Sequence, residues 1–247
     1  MKNMLFICGC SRSGTSVSTE FLNSHGKLAI GLERYGKRLR LNGHLPPDLF
    51  TKARFCETFD PDDSHHKKLL PIYGEMAARF DDCLYIGDKI PNLFLHFDAI
   101  KSDYPKAKII FLLRDIKAVA SSHEARAERK RRNPKAGWPL WRDGFNAVKE
   151  WNESMTSIQA LGDDLDSFIL DYNRLYQDES LIEQICAFLK IEPTPSFLAF
   201  WDKAAQARVE IDAKVRDNLT DEHLAFIEEQ ADFGLYQNLL NRQRDVG

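Results

Sequence analysis

The hydrophobic and polar positions of this chain form short apolar runs separated by longer segments with helical spacing. Continuous apolar runs are typical of strands that are buried on both faces of a parallel sheet. Five such runs occur, at residues 4–8, 28–30, 83–87, 108–113 and 167–170. Elsewhere apolar residues recur every three or four positions, which predicts helices at residues 15–22, 92–100, 116–132, 139–161 and 181–189. The alternation predicts an α/β fold, with three α/β/α layers and a mostly parallel central sheet.

The first predicted strand ends in a glycine-framed loop that leads into a helix. Gly9 and Gly14 allow the backbone to turn tightly and to approach an anion closely. The loop amides and the positive end of the helix dipole then point at the same place. Arg12 adds a planar cation that suits phosphate or sulfate oxygens. Nearby hydroxyl donors are Ser13, Thr15 and Ser16. The segment therefore predicts a binding site for a phosphate-like group.

This loop nearly matches G-x-x-x-x-G-K-[ST], the phosphate-binding loop of nucleotide triphosphatases. In residues 9–16, GCSRSGTS, Thr15 stands where that motif has its lysine, and the cation has moved to Arg12. The missing lysine is the residue that reaches the β- and γ-phosphates of a nucleotide. We therefore expect the loop to hold a phosphate-like group without being an ATPase loop.

Polar residues also follow three later strands, at the edge where open parallel sheets bind ligands. Glu33 follows the second strand, 21 residues after Arg12, and Lys89 follows the third. Arg114 ends the fourth strand, and Ser122 lies eight residues further on, in the next helix. This arginine and this serine can converge on one anion, because the first supplies charge and the second a hydroxyl donor.

Structural roles are the alternative interpretation for two of these residues. Glu33 can be a solvated carboxylate or the partner of Arg34, and Lys89 can pair with Asp88 or with another carboxylate. Another segment also allows two interpretations. The basic run at residues 126–135 predicts either the attraction of an anionic ligand or a solvated helix end. Residues 36–75 read as loops and short helices, and we expect them to form an acceptor pocket.

Three segments together resemble the sulfotransferases that use 3′-phosphoadenosine 5′-phosphosulfate (PAPS). Residues 12–16, RSGTS, resemble the 5′-phosphosulfate loop of that family, in the form with arginine that carbohydrate- and protein-tyrosine-modifying members and many bacterial members carry. Residues 111–122, FLLRDIKAVASS, are similar to its 3′-phosphate motif. Residues 87–91, GDKIP, resemble its G-[DE]-K-[TS]-P segment, with Ile90 in the place of the usual hydroxyl residue.

The resemblance implies a role for each candidate residue. Residues 11–16, namely Ser11, Arg12, Ser13, Gly14, Thr15 and Ser16, would hold the phosphosulfate, and Arg114 and Ser122 would hold the 3′-phosphate. Lys89 would contact the sulfonate or the oxygen that bridges to the leaving phosphate. Glu33 would act as general base, as a glutamate at a similar distance does in the tyrosylprotein members. Lys214 and Arg216 match a basic segment that closes over the 3′-phosphate in the family. PAPS would be the donor, and no metal would be required.

Composition limits the classes of function. The chain has 247 residues, 43% of them hydrophobic and 29% charged, which is typical of a globular protein, and we expect one domain over residues 1–247. A formal net charge of −3 argues against a nucleic-acid binder. No apolar stretch approaches the ~18 residues of a membrane span. The five scattered cysteines predict no disulfide framework, and the apolar run at residues 4–8 is too short for a signal peptide, so we expect a cytoplasmic protein.

Two other functions fit part of the pattern. A kinase with the Arg12 loop would need Mg²⁺-ATP and an acidic residue at a strand end, for which Asp88 or Asp115 is available. A non-catalytic nucleotide-binding module would keep the phosphate sites without turnover. The sulfotransferase hypothesis predicts instead a small-molecule or glycan hydroxyl as acceptor. The sequence predicts neither the acceptor's identity nor the oligomeric state.

Overall fold

A five-stranded parallel sheet forms the centre of the molecule. The computed structural model describes residues 2–64, 66–212 and 218–244. The strands lie in the order β2-β3-β1-β4-β5, and every neighbouring pair is parallel. Their bounds are β1 Asn3–Gly9, β2 Leu28–Leu32, β3 Tyr85–Lys89, β4 Lys108–Leu113 and β5 Asp166–Asp171. Because all strands run the same way, the carboxyl ends of β1, β2, β3 and β4 share one edge of the sheet.

Helices connect the strands and continue beyond the last one. The α-helices are α1 Thr15–Asn23, α2 Gly36–Asn42, α3 His66–Arg79, α4 Phe97–Asp103, α5 Ile116–Arg132, α6 Gly144–Leu161, α7 Tyr172–Leu175, α8 Ser180–Leu189, α9 Pro195–Asp212, α10 Asp221–Gln230 and α11 Phe233–Arg244. Short 3₁₀ segments span Pro47–Phe50, Phe80–Asp82 and Pro91–His96, and a π turn spans Ala53–Glu57. Within the described ranges no helix is long and apolar enough to cross a membrane.

The sheet is buried on both faces. Successive side chains of β1 point to opposite faces, so Leu5 and Phe6 belong to two different hydrophobic clusters, and both are fully buried. Phe6 lies in the cluster that contains Trp151 of α6, whereas Leu5 lies in the cluster that contains Phe21 of α1 and Ile185 of α8. The predicted three-layer α/β/α fold is confirmed.

Two predicted helices differ from the structure at their starts. The helix expected over residues 139–161 begins at Gly144, because Asp143 is its N-cap and accepts the Asn146 amide at 3.0 Å. The preceding residues instead form a turn, in which the Arg142 amide donates to the Pro139 carbonyl. The helix expected over residues 92–100 is the 3₁₀ segment Pro91–His96 followed by α4. These changes bring a turn and a 3₁₀ segment to the edge where the strands end.

Candidate active site

The loop between β1 and α1 is tightly wound. Its turn is closed by a hydrogen bond from the Ser13 amide to the Cys10 carbonyl, at 3.0 Å. Arg12 and Gly14 adopt positive φ angles of 73° and 96°. A Cβ on Gly14 would lie 2.3 Å from a ring carbon of Tyr172, so both the space and the backbone conformation favour glycine there. Gly14 is also the N-cap of α1 and gives it no side-chain cap, which leaves the first amides of α1 for another acceptor.

Arg12 joins the two predicted phosphate motifs. Its Nε donates to Ser122 Oγ at 3.0 Å, and its carbonyl accepts a hydrogen bond from Arg114 Nη1 at 3.1 Å. The Arg114 guanidinium also lies 4.8 Å from the centre of the Tyr172 ring. Burial lowers the pKa of Arg12, and the positive charges of Arg126 and Arg114 lower it further. The loop and the arginine–serine pair therefore form one positively charged site.

Lys89 and Glu33 form an ion pair beside this loop. Lys89 Nζ lies 2.6 Å from Glu33 Oε1 and 3.1 Å from Ser16 Oγ. The Lys89 side chain is only 2% exposed, whereas that of Glu33 is 39% exposed. A buried ammonium therefore has a carboxylate partner that still faces solvent. Arg34 was the alternative partner for Glu33, but its guanidinium contacts Asp63 instead.

A buried carboxylate holds the backbone turn that presents Glu33. Glu33 has a φ of 58°, a left-handed conformation that costs a non-glycine residue about 1–3 kcal/mol. The two oxygens of Asp88 accept the amides of Arg34 and Tyr35, at 3.2 and 2.7 Å. The Glu33 amide donates to the Lys89 carbonyl at 2.8 Å. Burial raises the pKa of Asp88 to about 7, against the opposing effect of these hydrogen bonds.

We expect Asp88→Asn to destabilise the fold by about 1–3 kcal/mol at pH 5, below the raised pKa of about 7, where the Asp88 carboxyl is neutral and the substitution removes an acceptor but no charge. The Asn amide group would face one of the two backbone N–H donors and leave it unpaired. The free energy of unfolding from urea denaturation measures the effect. Asp98→Asn is the matched control, because that side chain is fully exposed. Equal unfolding free energies in the two variants would show that Asp88 does not hold the turn.

Ser11 is fixed by contacts to all its polar groups. Its amide donates to Glu150 Oε1 at 2.7 Å, and its carbonyl accepts from His123 Nε2 at 3.0 Å. Its hydroxyl is contacted by the Arg142 guanidinium, which also pairs with Glu150 Oε2 at 2.6 Å. Burial acts to raise the pKa of Glu150, but the charge of Arg142 and the hydrogen bonds outweigh it, so that this pKa is lowered. These residues position the start of the loop.

Cys10, His123 and Glu150 also offer three potential metal ligands, whose atoms all lie within 4.8 Å of one another. Both oxygens of Glu150 already accept hydrogen bonds, one of them from the positively charged Arg142. A cation there would be repelled by this guanidinium. We therefore assign the cluster to positioning of the loop.

The strand ends, the loop and the turn before α6 enclose a cleft of about 340 Å³. Eight predicted site residues line it: Ser11, Arg12, Gly14, Thr15, Ser16, Glu33, Arg114 and Ser122. Lys89 reaches the cleft through its contacts with Ser16 and Glu33. Ser13 is fully buried beside the loop backbone and does not line the cleft. Lys214 and Arg216 lie outside the described residues.

The cleft also contains residues that the sequence did not single out as site residues. They are Val17, Pro91, Trp138, Arg142 and Tyr172. Arg142 comes from a turn that the sequence had assigned to the helix over residues 139–161, and Trp138 directly precedes that predicted helix, so their position at the cleft was not predicted. None of the described residues between 36 and 64 lines the cleft. Many of their apolar side chains, such as Leu45, Phe50 and Phe55, pack into the core. The acceptor pocket expected over residues 36–75 stays a prediction.

The two carboxylates available to a kinase have structural roles. Asp88 is fully buried and accepts two backbone amides. Asp115 is the N-cap of α5 and accepts the Ala118 amide at 3.0 Å. Neither lines the cleft, so this geometry does not support a magnesium site of the kinase type.

Comparison with known proteins identifies the family and supports the fold. Residues 5–195 match the model of the sulfotransferase family, and the chain belongs to that family. Among solved structures, it is similar to the sulfotransferase domain from the curacin biosynthetic pathway, with 15% identity, coverage of 93% of this chain and 97% of the other, and a TM-score of 0.56. It is also similar to the sulfotransferase domain from the Synechococcus PCC 7002 olefin synthase, with 20% identity, coverage of 93% of this chain and 95% of the other, and a TM-score of 0.56. At these identities the structural likeness concerns the fold. A search of curated proteins found no match.

Proposed function

We propose that this protein transfers a sulfuryl group from PAPS to an acceptor hydroxyl. The observation that carries the proposal is the pair of contacts through Arg12, which joins the glycine-framed loop to Ser122 and Arg114. Two neighbouring anion sites suit a donor that carries phosphate groups on both the 3′ and the 5′ positions of its ribose. Membership of the sulfotransferase family supports a sulfate donor of this type.

In this proposal the donor lies along the carboxyl edge of the sheet. The loop amides other than those of Ser11 and Ser13, the α1 N-terminus and the hydroxyls of Thr15 and Ser16 bind the 5′-phosphosulfate. Arg114 and Ser122 bind the 3′-phosphate by charge-assisted hydrogen bonds. The side chain of Arg12 contacts Ser122, so its charge serves both phosphate groups.

The reaction is an in-line transfer. The acceptor oxygen forms a bond to sulfur while the bond from sulfur to the bridging oxygen breaks, and the leaving phosphate keeps that electron pair. The acceptor proton moves to the Glu33 carboxylate, which is the half-exposed member of its ion pair. Lys89 then stabilises charge on the sulfuryl and bridging oxygens, a role that preorganised cations perform well in a partly dehydrated site. We expect no metal requirement, and a small-molecule or glycan hydroxyl as acceptor.

Calorimetric binding of 3′-phosphoadenosine 5′-phosphate tests the proposal, beside ADP and ATP, with and without Mg²⁺. We expect metal-independent binding that is lost when the 3′-phosphate is absent. Preference for ATP with Mg²⁺ would instead identify a kinase. Binding of the 3′-phosphorylated nucleotide without sulfuryl transfer from PAPS to any acceptor in a hydroxyl panel would identify a non-catalytic binding module.

A further inference from the structure

The cleft extends beyond the residues assigned to the donor. Toward the second half of α5 and the turn before α6, its wall contains Trp138, Arg142 and Pro91. The donor assignment uses none of these three side chains. A two-substrate enzyme needs a second binding region next to the first, and this wall is a part of the cleft that the donor's phosphate and sulfate groups do not occupy.

Arg126 does not itself line the cleft, but its positive charge lies next to Trp138, which does. It lies on α5 four residues after Ser122, which is about one helical turn or 6 Å further along the axis. Its guanidinium carbon lies 5.6 Å from the centre of the Trp138 ring. Its side chain is exposed, and no carboxylate pairs with it among the residues that the structure describes. Its charge also acts on Arg12: burial is the main cause of the lowered pKa of Arg12, and the charge of Arg126 is the next.

Arg142 has a different role in the same wall. Its charge is compensated by Glu150, at 2.6 Å. Its carbonyl accepts the indole N–H of Trp138, also at 2.6 Å, and its guanidinium lies 4.9 Å from the centre of that ring. Arg142 therefore fixes Trp138 as part of the wall, whereas Arg126 has no carboxylate partner in the part of the chain that the structure describes.

We propose that Arg126 and Trp138 form an acceptor subsite, and that the acceptor is a hydroxyl compound in which a ring carries a carboxylate, phosphate or sulfate group. The ring packs on the indole of Trp138, and the anionic group pairs with Arg126. This inference rests on the proposed function, because that function assigns the donor's own anionic groups to the loop, Arg114 and Ser122.

Matched acceptor pairs test the subsite by calorimetry on protein saturated with 3′-phosphoadenosine 5′-phosphate. One pair is 4-hydroxyphenylacetate and 4-hydroxyphenylacetamide, and the other is methyl glucuronide and methyl glucoside. We expect the anionic member of at least one pair to bind about tenfold more tightly, as one charge-assisted hydrogen bond allows. The two pairs distinguish an aromatic from a sugar acceptor. Arg126→Gln should remove the difference and leave the affinity for the nucleotide unchanged.

Arg129→Gln is the matched control, since Arg129 is exposed on the same helix and has no carboxylate partner among the described residues. It should keep the difference within the pair. The subsite would be overturned if, in the wild-type protein, neither anionic compound binds more tightly than its neutral partner, or if none of the compounds binds. A loss of nucleotide affinity in Arg126→Gln would also overturn it, since that loss would make Arg126 a donor ligand. If the wild-type protein does not bind the nucleotide at all, the proposed function fails first.

Discussion

Glu33→Gln is expected to lower kcat about 10²- to 10⁴-fold, the range typical of removing a general base. The amide keeps the size and the hydrogen-bonding oxygen of the side chain but cannot accept the acceptor proton. Affinity for 3′-phosphoadenosine 5′-phosphate should stay the same or rise, because Lys89 loses the carboxylate that holds it at 2.6 Å. Steady-state turnover with PAPS and calorimetric binding of the product nucleotide separate these two effects.

Glu20→Gln is the matched control for that experiment. Glu20 lies on α1, and its pKa is raised by burial and lowered by the charge of Lys89, so it shares the electrostatic surroundings of Lys89. It does not line the cleft. Its substitution should change kcat little. If Glu33→Gln keeps its turnover but loses nucleotide affinity, Glu33 is a structural partner of Lys89 and not the base.

The sequence predicted the sheet and the polar residues along its edge because both follow local rules. The run of residues 108–113 became β4 with the bounds expected, since a continuous apolar segment has few places outside a buried strand. The spacing between the arginine and the serine predicted that Arg114 and Ser122 lie close together, and both contact Arg12. The parallel sheet brings these strand ends together, so spacing within each segment was sufficient.

Contacts between distant segments could not be predicted in this way. Ser11 meets Glu150 across 139 positions and His123 across 112, and no periodicity links such residues. The turn before α6 was missed because Pro139 is tolerated in the first turn of a helix, whereas the N-cap at Asp143 and the indole contact with Arg142 determine the structure. Ion pairing was ambiguous for a related reason, since Arg34 and Asp88 both neighbour the site residues in sequence but point into the core.

Arg114→Ala is expected to weaken binding of 3′-phosphoadenosine 5′-phosphate by about 10- to 100-fold, the cost of one lost hydrogen bond to a charged group. Binding of AMP should change much less, because AMP lacks the 3′-phosphate that this guanidinium would hold. Arg114 is only 9% exposed and lies against the Tyr172 ring, so a water molecule replaces its charge poorly. Parallel calorimetric titrations with the two nucleotides measure the discrimination directly.

Two further variants distinguish recognition of the 3′-phosphate from support of the loop. Arg114→Lys keeps the charge but loses the planar fork, and it should give an intermediate affinity for the 3′-phosphorylated nucleotide. Ser122→Ala should reduce the same affinity by a smaller factor, because it removes one hydroxyl donor and no charge. An equal loss for AMP and for the 3′-phosphorylated nucleotide in Arg114→Ala would mean that Arg114 acts only through the Arg12 carbonyl. In that case the contact between the two motifs would support the loop without reading the 3′-phosphate.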